Sequence, residues 1–130
     1  MTVAELPTGD SLPVDSSKGT YAGTIEGLNT YNGAETTCTG GATATIKGDG
    51  VLDGYLNCTF TSGFAQEGVW AGTEADGAID SLWTDDYGNG YIIDFPGVGT
   101  YENGNVVVDF DWADESIGVT FVGTATLTRQ

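Results

Sequence analysis

Histidine is absent from this sequence of 130 residues. Without an imidazole, the chain cannot form a Ser-His-Asp or Cys-His catalytic arrangement, and it lacks a ligand typical of zinc sites. General acid–base chemistry would have to come from Asp, Glu or Tyr, with a carboxyl pKa raised by burial. Glu74, Asp80 and Asp94 fall within predicted strands and are the acids that could face the interior.

Basic residues are scarce: Lys18, Lys47 and Arg129 stand against 19 acidic residues, for a formal net charge of −16. Such a surface repels nucleic acid and anionic lipid, so we expect neither as a partner. It would suit a basic protein, a cationic ligand or Ca²⁺. A surface adapted for solubility or high salt is the alternative interpretation, and it needs no partner.

Long hydrophobic runs are also missing. No segment approaches the roughly 20 apolar residues of a membrane-spanning helix, and residues 1–18 lack the basic and apolar regions of a signal peptide. No helical period extends beyond a turn or two. We expect residues 1–18 to form a flexible N-terminal arm and residues 19–130 to form a single domain.

Turn signals, by contrast, recur at nearly even intervals along the chain. Five are Asn-Gly or Asp-Gly dipeptides, which supply the positive φ of two-residue hairpin turns, and two more reversals lie at 61–63 and 114–116. Seven reversals predict eight strands. Their expected ranges are 19–28, 36–47, 51–61, 65–74, 78–85, 90–101, 105–112 and 117–128.

The predicted strands alternate apolar and polar residues, which is typical of antiparallel sheets with one wet face. Short hairpins throughout favour an all-β, eight-stranded, antiparallel up-and-down β-barrel; a β-sandwich is the alternative, although it usually needs longer crossing connections. Pro96 falls inside the sixth strand, where it predicts a bulge or a bend.

The two cysteines, Cys38 and Cys58, lie on the apolar faces of two neighbouring strands, on opposite sides of one hairpin. This placement favours a disulfide and therefore an extracytoplasmic location: secreted, periplasmic or at the cell surface. Two buried free thiols are the alternative.

Aromatic residues give the clearest candidate ligand site. An eight-stranded barrel can hold one small ligand or be filled by its own side chains. The aromatics could line the interior for an apolar ligand, or they could simply form the core. The candidate ligand-binding residues are Tyr21, Trp70, Trp83, Phe110, Trp112 and Phe121.

A calcium site is a weaker hypothesis, and no other cofactor is expected. Hard oxygen ligands on flexible loops are what Ca²⁺ requires. Two stretches are rich in such oxygens. They are Asp109, Asp111, Asp114 and Glu115 in one, and Asp85, Asp86 and Asn89 in the other.

Two stretches resemble a known group of barrels. Val122–Arg129 is similar to the last strand of avidins, and Trp70 and Trp83, with Ser81 two residues before the second, resemble the paired-tryptophan hairpin of that family. The chain thus resembles the calycin group, which contains lipocalins and avidins. The resemblance implies the barrel fold only, because Ala125 stands where avidins carry an acidic or amide ligand contact.

These patterns predict a barrel protein that binds a small, mostly apolar ligand in an aromatic-lined interior. The first alternative is an acidic interaction or inhibitor protein that engages a basic partner. The second is a barrel enzyme, a cyclase or isomerase, that uses Tyr or a buried carboxylate. The sequence alone favours binding over catalysis and leaves the oligomeric state open.

Overall fold

Eight strands, each paired with its neighbours in the chain, make up the fold. The computed structural model describes residues 16–130. The last strand pairs with the first and closes an antiparallel up-and-down barrel, so the predicted fold class is confirmed and the sandwich alternative is wrong. The strands are β1 (Gly19–Tyr31), β2 (Ala34–Ile46), β3 (Val51–Phe60), β4 (Ala65–Ala75), β5 (Ala78–Asp86), β6 (Ile92–Glu102), β7 (Asn105–Asp114) and β8 (Val119–Arg129).

Residues 1–15 of the predicted arm lie outside the described residues, and residues 16–18 lead directly into β1. Within the described part of the chain, no helix has the length and hydropathy needed to cross a membrane. The regular secondary structure of residues 16–130 consists of strands alone, as the turn spacing predicts.

The Asn-Gly and Asp-Gly signals build two kinds of turn. Asn32, Asp76 and Asn103 have φ between 49° and 51°, and each is followed by a glycine with positive φ. These three pairs form the two-residue connections of β1–β2, β4–β5 and β6–β7. The other two dipeptides lie inside longer connections, residues 47–50 and 87–91, so the two-residue prediction is wrong there.

Alternation along each strand separates the core from the solvent. The inward residues of β8 are Phe121, Gly123, Ala125 and Leu127, whereas the threonines between them are exposed. Cys38 and Cys58 lie on the same inner face and form a disulfide with a Cα–Cα distance of 5.2 Å. The predicted disulfide is confirmed, and it joins the inner faces of β2 and β3.

Close strand contact explains Gly40. This residue lies opposite Cys58, and a Cβ at Gly40 would collide with the carbonyl oxygen of Asn57. Its neighbour Gly41 has open space around the same position. The two adjacent glycines therefore differ: Gly40 is required by packing, and Gly41 is not.

One end of the barrel is covered by Arg129 and residues around it; we call it the arginine end. The Arg129 guanidinium lies 5.6 Å from the ring centroids of both Tyr21 and Tyr101. It donates hydrogen bonds to both phenol oxygens, at 3.0 and 2.7 Å, and to the Ser16 carbonyl. Glu74 accepts a hydrogen bond from the Ser17 hydroxyl. These contacts hold residues 16 and 17 across this end.

The opposite end opens because the tip of the β5–β6 hairpin separates from both neighbours. Pairing between β5 and β6 is unbroken from Ala78↔Thr100 to Asp86↔Ile92. The ladder between β6 and β7, however, ends at Gly97↔Phe110, next to Pro96, which has no N–H to donate. The ladder between β4 and β5 ends at Val69↔Thr84. The predicted bulge at Pro96 is thus absent from the β5–β6 pairing, and the proline instead marks where β6 leaves β7.

Candidate functional site

An aromatic cup occupies the open end of the barrel, which we call the aromatic end. Its volume is about 530 Å³, within the range of roughly 300–1,000 Å³ typical of small-molecule sites. The turns between β1 and β2, β3 and β4, β5 and β6, and β7 and β8 surround it. The aromatic cup is lined by Asn29, Thr36, Phe60, Ser62, Phe64, Gln66, Tyr87, Tyr91, Ile93, Phe95, Trp112, Ile117 and Val119.

Four rings follow one another along one wall of the aromatic cup. Phe60 and Phe64 stack with centroids 6.1 Å apart, and Phe64 stacks on Tyr87 at 5.9 Å. Tyr87 in turn contacts Tyr91 at 5.6 Å. Phe64 and Tyr91 are each 53% exposed. A ligand entering the cup would therefore meet partly exposed π-faces from two different hairpins.

Phe95 and Trp112 line another part of the cup, where β6 and β7 separate. Their ring centroids lie 5.4 Å apart in an edge-to-face arrangement. Phe95 is 2% exposed, whereas Trp112 is only partly buried. The last pair of the β6–β7 ladder is Gly97↔Phe110, and Phe95 and Trp112 lie past it, where the two strands no longer pair.

The six aromatics predicted as ligand contacts divide into two groups. Trp112 lines the aromatic cup. The other five are at most 1% exposed and pack in the core below it. Phe110, for example, lies 6.0 Å from Trp70 and 5.5 Å from Trp83 between ring centroids. The five core residues are Tyr21, Trp70, Trp83, Phe110 and Phe121.

Phe95 links this core to the cup. Its centroid lies 5.4 Å from both Trp83 and Phe121 in the core, and 5.4 Å from Trp112 in the cup. Contact with rigidly packed rings fixes the orientation of Phe95 and, through it, of Trp112. The core aromatics therefore support the cup from below.

Gln66 provides an unpaired polar group in the aromatic cup. The side chain is 4% exposed and lines the cup, yet its amide nitrogen Nε2 has no hydrogen-bond partner within residues 16–130. A buried donor without an acceptor costs roughly 1–3 kcal/mol. Native structures rarely keep such groups, and each one calls for an explanation such as a functional role. The indole nitrogens of Trp70 and Trp83 are also buried without a partner in this part of the chain.

Asp85 is the buried carboxylate of the interior. It is 4% exposed, shares the inward face of β5 with Trp83, and its Oδ2 accepts the Glu67 backbone N–H at 3.2 Å. This bond replaces the ladder pairing that β4 and β5 lose at this end. Burial raises the pKa of Asp85, and hydrogen bonds from Tyr87 and from the Glu67 backbone oppose that increase. The pKa of Tyr87 is also raised, by burial and by its hydrogen bond to Asp85.

The acids suggested by sequence as inward-facing lie elsewhere. Asp80 and Asp94 are exposed on the outer face, where Asp94 accepts a hydrogen bond from Thr84 at 2.7 Å. Glu74 is partly buried at the arginine end and accepts hydrogen bonds from Ser17 and from the Gly77 N–H. An inward position is therefore wrong for Asp80 and Asp94, whereas Glu74 shares the face of β4 that carries Trp70. The carboxylate buried near the aromatic end is Asp85.

The acids of the two oxygen-rich stretches make local hydrogen bonds. Asp109 accepts from Thr124 at 2.8 Å, Asp114 from Ser116 at 2.6 Å, and Asp86 from the Gly88 N–H at 2.9 Å. From Ser16 onward, no group of three or more Cys, Asp or Glu side chains is arranged to hold a metal ion.

Most residues of the aromatic cup were not predicted from sequence. The predicted strands place Phe60 and Tyr91 near strand ends, and they leave Phe64 and Tyr87 in turns. A signal for them exists, because an up-and-down barrel brings alternate turns to the same end. Phe60 and Phe64 flank the third reversal, and Tyr87 and Tyr91 flank the fifth, so all four are expected at one end of the barrel. Aromatics that flank the second, fourth or sixth reversal are expected at the other end. For Asp85, the signal is that it follows Trp83 by two residues, so both side chains share one face of the strand.

Comparison with known proteins adds no family: the sequence matches no protein-family model and no curated protein. The eight-stranded antiparallel barrel itself is consistent with the calycin resemblance at the level of the fold.

Proposed function

We propose that this protein binds a small, mostly apolar ligand in the aromatic cup. The observation that carries the proposal is the buried amide nitrogen of Gln66, which has no hydrogen-bond partner among residues 16–130 and lies in a cavity otherwise lined largely by aromatic and aliphatic side chains. A few polar groups in an apolar cavity are typical of small-molecule sites, where they orient the ligand. The amide nitrogen would take a hydrogen-bond acceptor on the ligand.

The exposed apolar surface at the aromatic end supports this assignment. Phe64, Tyr91, Ile92 and Ile117 are between 46% and 53% exposed around one opening. The 19 acidic residues of the chain provide enough polar surface that exposed apolar side chains need not lie next to one another. Clustered exposed apolar residues often mark a binding site.

Trp112 is the predicted contact residue that lies within this site. Under the proposal, the buried Trp83 and Phe121 hold Phe95 and, through it, Trp112 in place, and Phe110 packs against Trp83 and Trp70 beneath them. The buried Tyr21 instead belongs to the arginine end, where it contacts Arg129 and Tyr101. The disulfide is consistent with an extracytoplasmic location. We propose that the ligand is met in such a compartment. The aromatic cup favours this function over an acidic surface that engages a basic protein, because it offers a concave apolar site.

Titration with N-phenyl-1-naphthylamine, a neutral apolar dye, tests the proposal. We expect one dye per chain, with increased dye emission and a changed total tryptophan emission, because Trp112 lines the cup. Phe64→Ser should weaken binding about tenfold, because an aromatic contact contributes roughly 1–2 kcal/mol.

Tyr31→Ser is the matched control, because Tyr31 is also 53% exposed at the same end but does not line the cup. We expect Tyr31→Ser to bind like the wild type. Absence of dye binding, or equal losses in the two variants, would overturn the proposal.

A further inference from the structure

The distribution of charge around the aromatic cup indicates which apolar ligands it selects. We propose that the cup selects amphipathic cations: small molecules with an apolar body and one ammonium group. The inference rests on the proposed function, since it names the ligand class of the same site. It draws on three observations: where the basic residues lie, what surrounds Asp85, and which rings are open to a ligand.

All basic side chains of the protein lie at the arginine end. Lys18 precedes β1, Lys47 follows β2, and Arg129 ends β8. Lys47 forms an ion pair with Asp53 at 3.2 Å, and Arg129 is held by Tyr21 and Tyr101. The aromatic end therefore has acidic side chains at its turns and no basic one. There a fatty acid or another organic anion would find one amide donor, Gln66 Nε2, but no cation to balance its charge.

Asp85 is a buried carboxylate next to the aromatic cup, and it has no counter-cation in the described part of the chain. The charged groups that act on it are Glu67 and Asp86, both of which raise its pKa, and its hydrogen-bond partners are the Tyr87 hydroxyl and the Glu67 N–H. Opposite Asp85 in the ladder lies Ile93, which lines the cup. A positive charge placed in the cup would interact with this carboxylate through a medium of low dielectric, where Coulomb interactions are strong.

The rings that line the aromatic cup suit the same ligand. Tyr87, Tyr91 and Trp112 are partly exposed to the cup. The negative π-faces of Tyr and Trp attract ammonium groups, and they contribute most when the cation is desolvated. Aromatic rings together with a buried carboxylate and no basic residue favour a cation over a neutral molecule of the same shape, and a neutral molecule over an anion.

Three isosteric probes test the selectivity: 4-phenylbutylamine, 4-phenyl-1-butanol and 4-phenylbutyrate, each titrated calorimetrically at neutral pH and at physiological ionic strength. We expect the amine to bind at least about tenfold more tightly than the alcohol. We expect the carboxylate to bind more weakly than the alcohol. Equal affinities for all three would overturn the inference and leave the proposed function standing. Failure of every probe and of the neutral dye to bind would overturn the proposed function instead.

Asp85→Asn tests the role assigned to the buried carboxylate. The single amide oxygen of asparagine can still accept the hydrogen bond from the Glu67 N–H, and the substitution removes the charge, so we expect the amine-to-alcohol affinity ratio to fall to about threefold or less. Asp80→Asn removes one charge from the outer face of the same strand and should leave the ratio unchanged. A ratio that persists in Asp85→Asn, or that falls equally in both variants, would overturn the assignment to Asp85.

The wild-type protein gives a second readout that does not depend on the variant folding. The titratable groups around Asp85 are Glu67, Asp86, Tyr55 and Tyr87, and both tyrosines have a raised pKa and so stay protonated at neutral pH. The amine-to-alcohol ratio should therefore rise with pH as Asp85 loses its proton, and then reach a plateau. A ratio independent of pH between pH 4 and pH 8 would contradict the proposal.

Discussion

Replacing Gln66 by methionine should make the unliganded protein more stable and the ligand site weaker. Gln66 is 4% exposed, and its Nε2 has no hydrogen-bond partner among residues 16–130. Methionine has a similar length and volume but no donor to leave unpaired. The substitution therefore removes the penalty of a buried polar group without creating a cavity.

The structure sets the size of the effect. An unsatisfied buried donor costs roughly 1–3 kcal/mol, and the entropy terms nearly cancel, because glutamine and methionine lose similar side-chain entropy when they are ordered. We expect Gln66→Met to raise the free energy of unfolding by about 1 kcal/mol, which corresponds to an increase in Tm of about 4 °C for a domain of this size. Affinity for 4-phenyl-1-butanol should fall about fivefold, since its hydroxyl loses the amide donor.

Chemical unfolding in urea, with the disulfide intact, measures the stability, and calorimetric titration measures the affinity. Gln130→Met is the control: Gln130 is exposed, and its Nε2 already donates to the Thr128 carbonyl at 2.8 Å. We expect this control to change stability by less than about 0.5 kcal/mol. A Gln66→Met protein that is less stable than the wild type, or that binds the alcohol equally well, would refute the reasoning.

Three further predictions concern the scaffold. Replacing Cys38 and Cys58 with alanine opens a loop closed by residues 20 apart in sequence, so urea unfolding should show a loss of about 3 kcal/mol; an unchanged midpoint would contradict this. Gly40→Ala should destabilise the barrel by about 1–3 kcal/mol, whereas Gly41→Ala should be nearly neutral in thermal melts, and equal effects would contradict the packing argument. Because the folded pKa of Asp85 is raised above 3.8, its contribution to stability is present below that pH and is lost as pH rises through the folded pKa. The free energy of unfolding of the wild type should therefore fall as the pH rises from 3.8 through the folded pKa, and that of Asp85→Asn should fall less. Parallel pH profiles for wild type and variant would contradict the assignment.

The sequence predicted the scaffold well because the scaffold depends on local signals. Period-two alternation identified which face of each strand is buried, and it placed Cys38 and Cys58 on one side of neighbouring strands. The turn dipeptides predicted the strand count, since positive φ at an Asn-Gly pair is a local property of the chain. Strand limits agree with the structure to within a few residues.

The site was predicted less well because it depends on where neighbouring strands stop pairing, and the residues of one strand do not show this. The aromatic cup exists where the tip of the β5–β6 hairpin leaves β4 and β7. Pro96 predicts an irregularity in its strand. The sequence does not show whether the proline bends the strand or ends one ladder, because this depends on which neighbouring strand would have accepted a hydrogen bond from its absent N–H. Similarly, alternation alone does not tell how deeply Trp83 and Trp112 lie, because both face inward and only their height along the barrel separates core from cup.

The most direct test of the ligand site is an NMR titration of the ¹⁵N-labelled protein with 4-phenylbutylamine. The account predicts that the largest shift changes fall at the aromatic end, at Phe64, the Gln66 side-chain amide and the Trp112 indole. Residues of the arginine end, such as Gly104 and Arg129, should change little. Shift changes concentrated at the arginine end or on the outer face of the barrel, or none at saturating ligand, would contradict it.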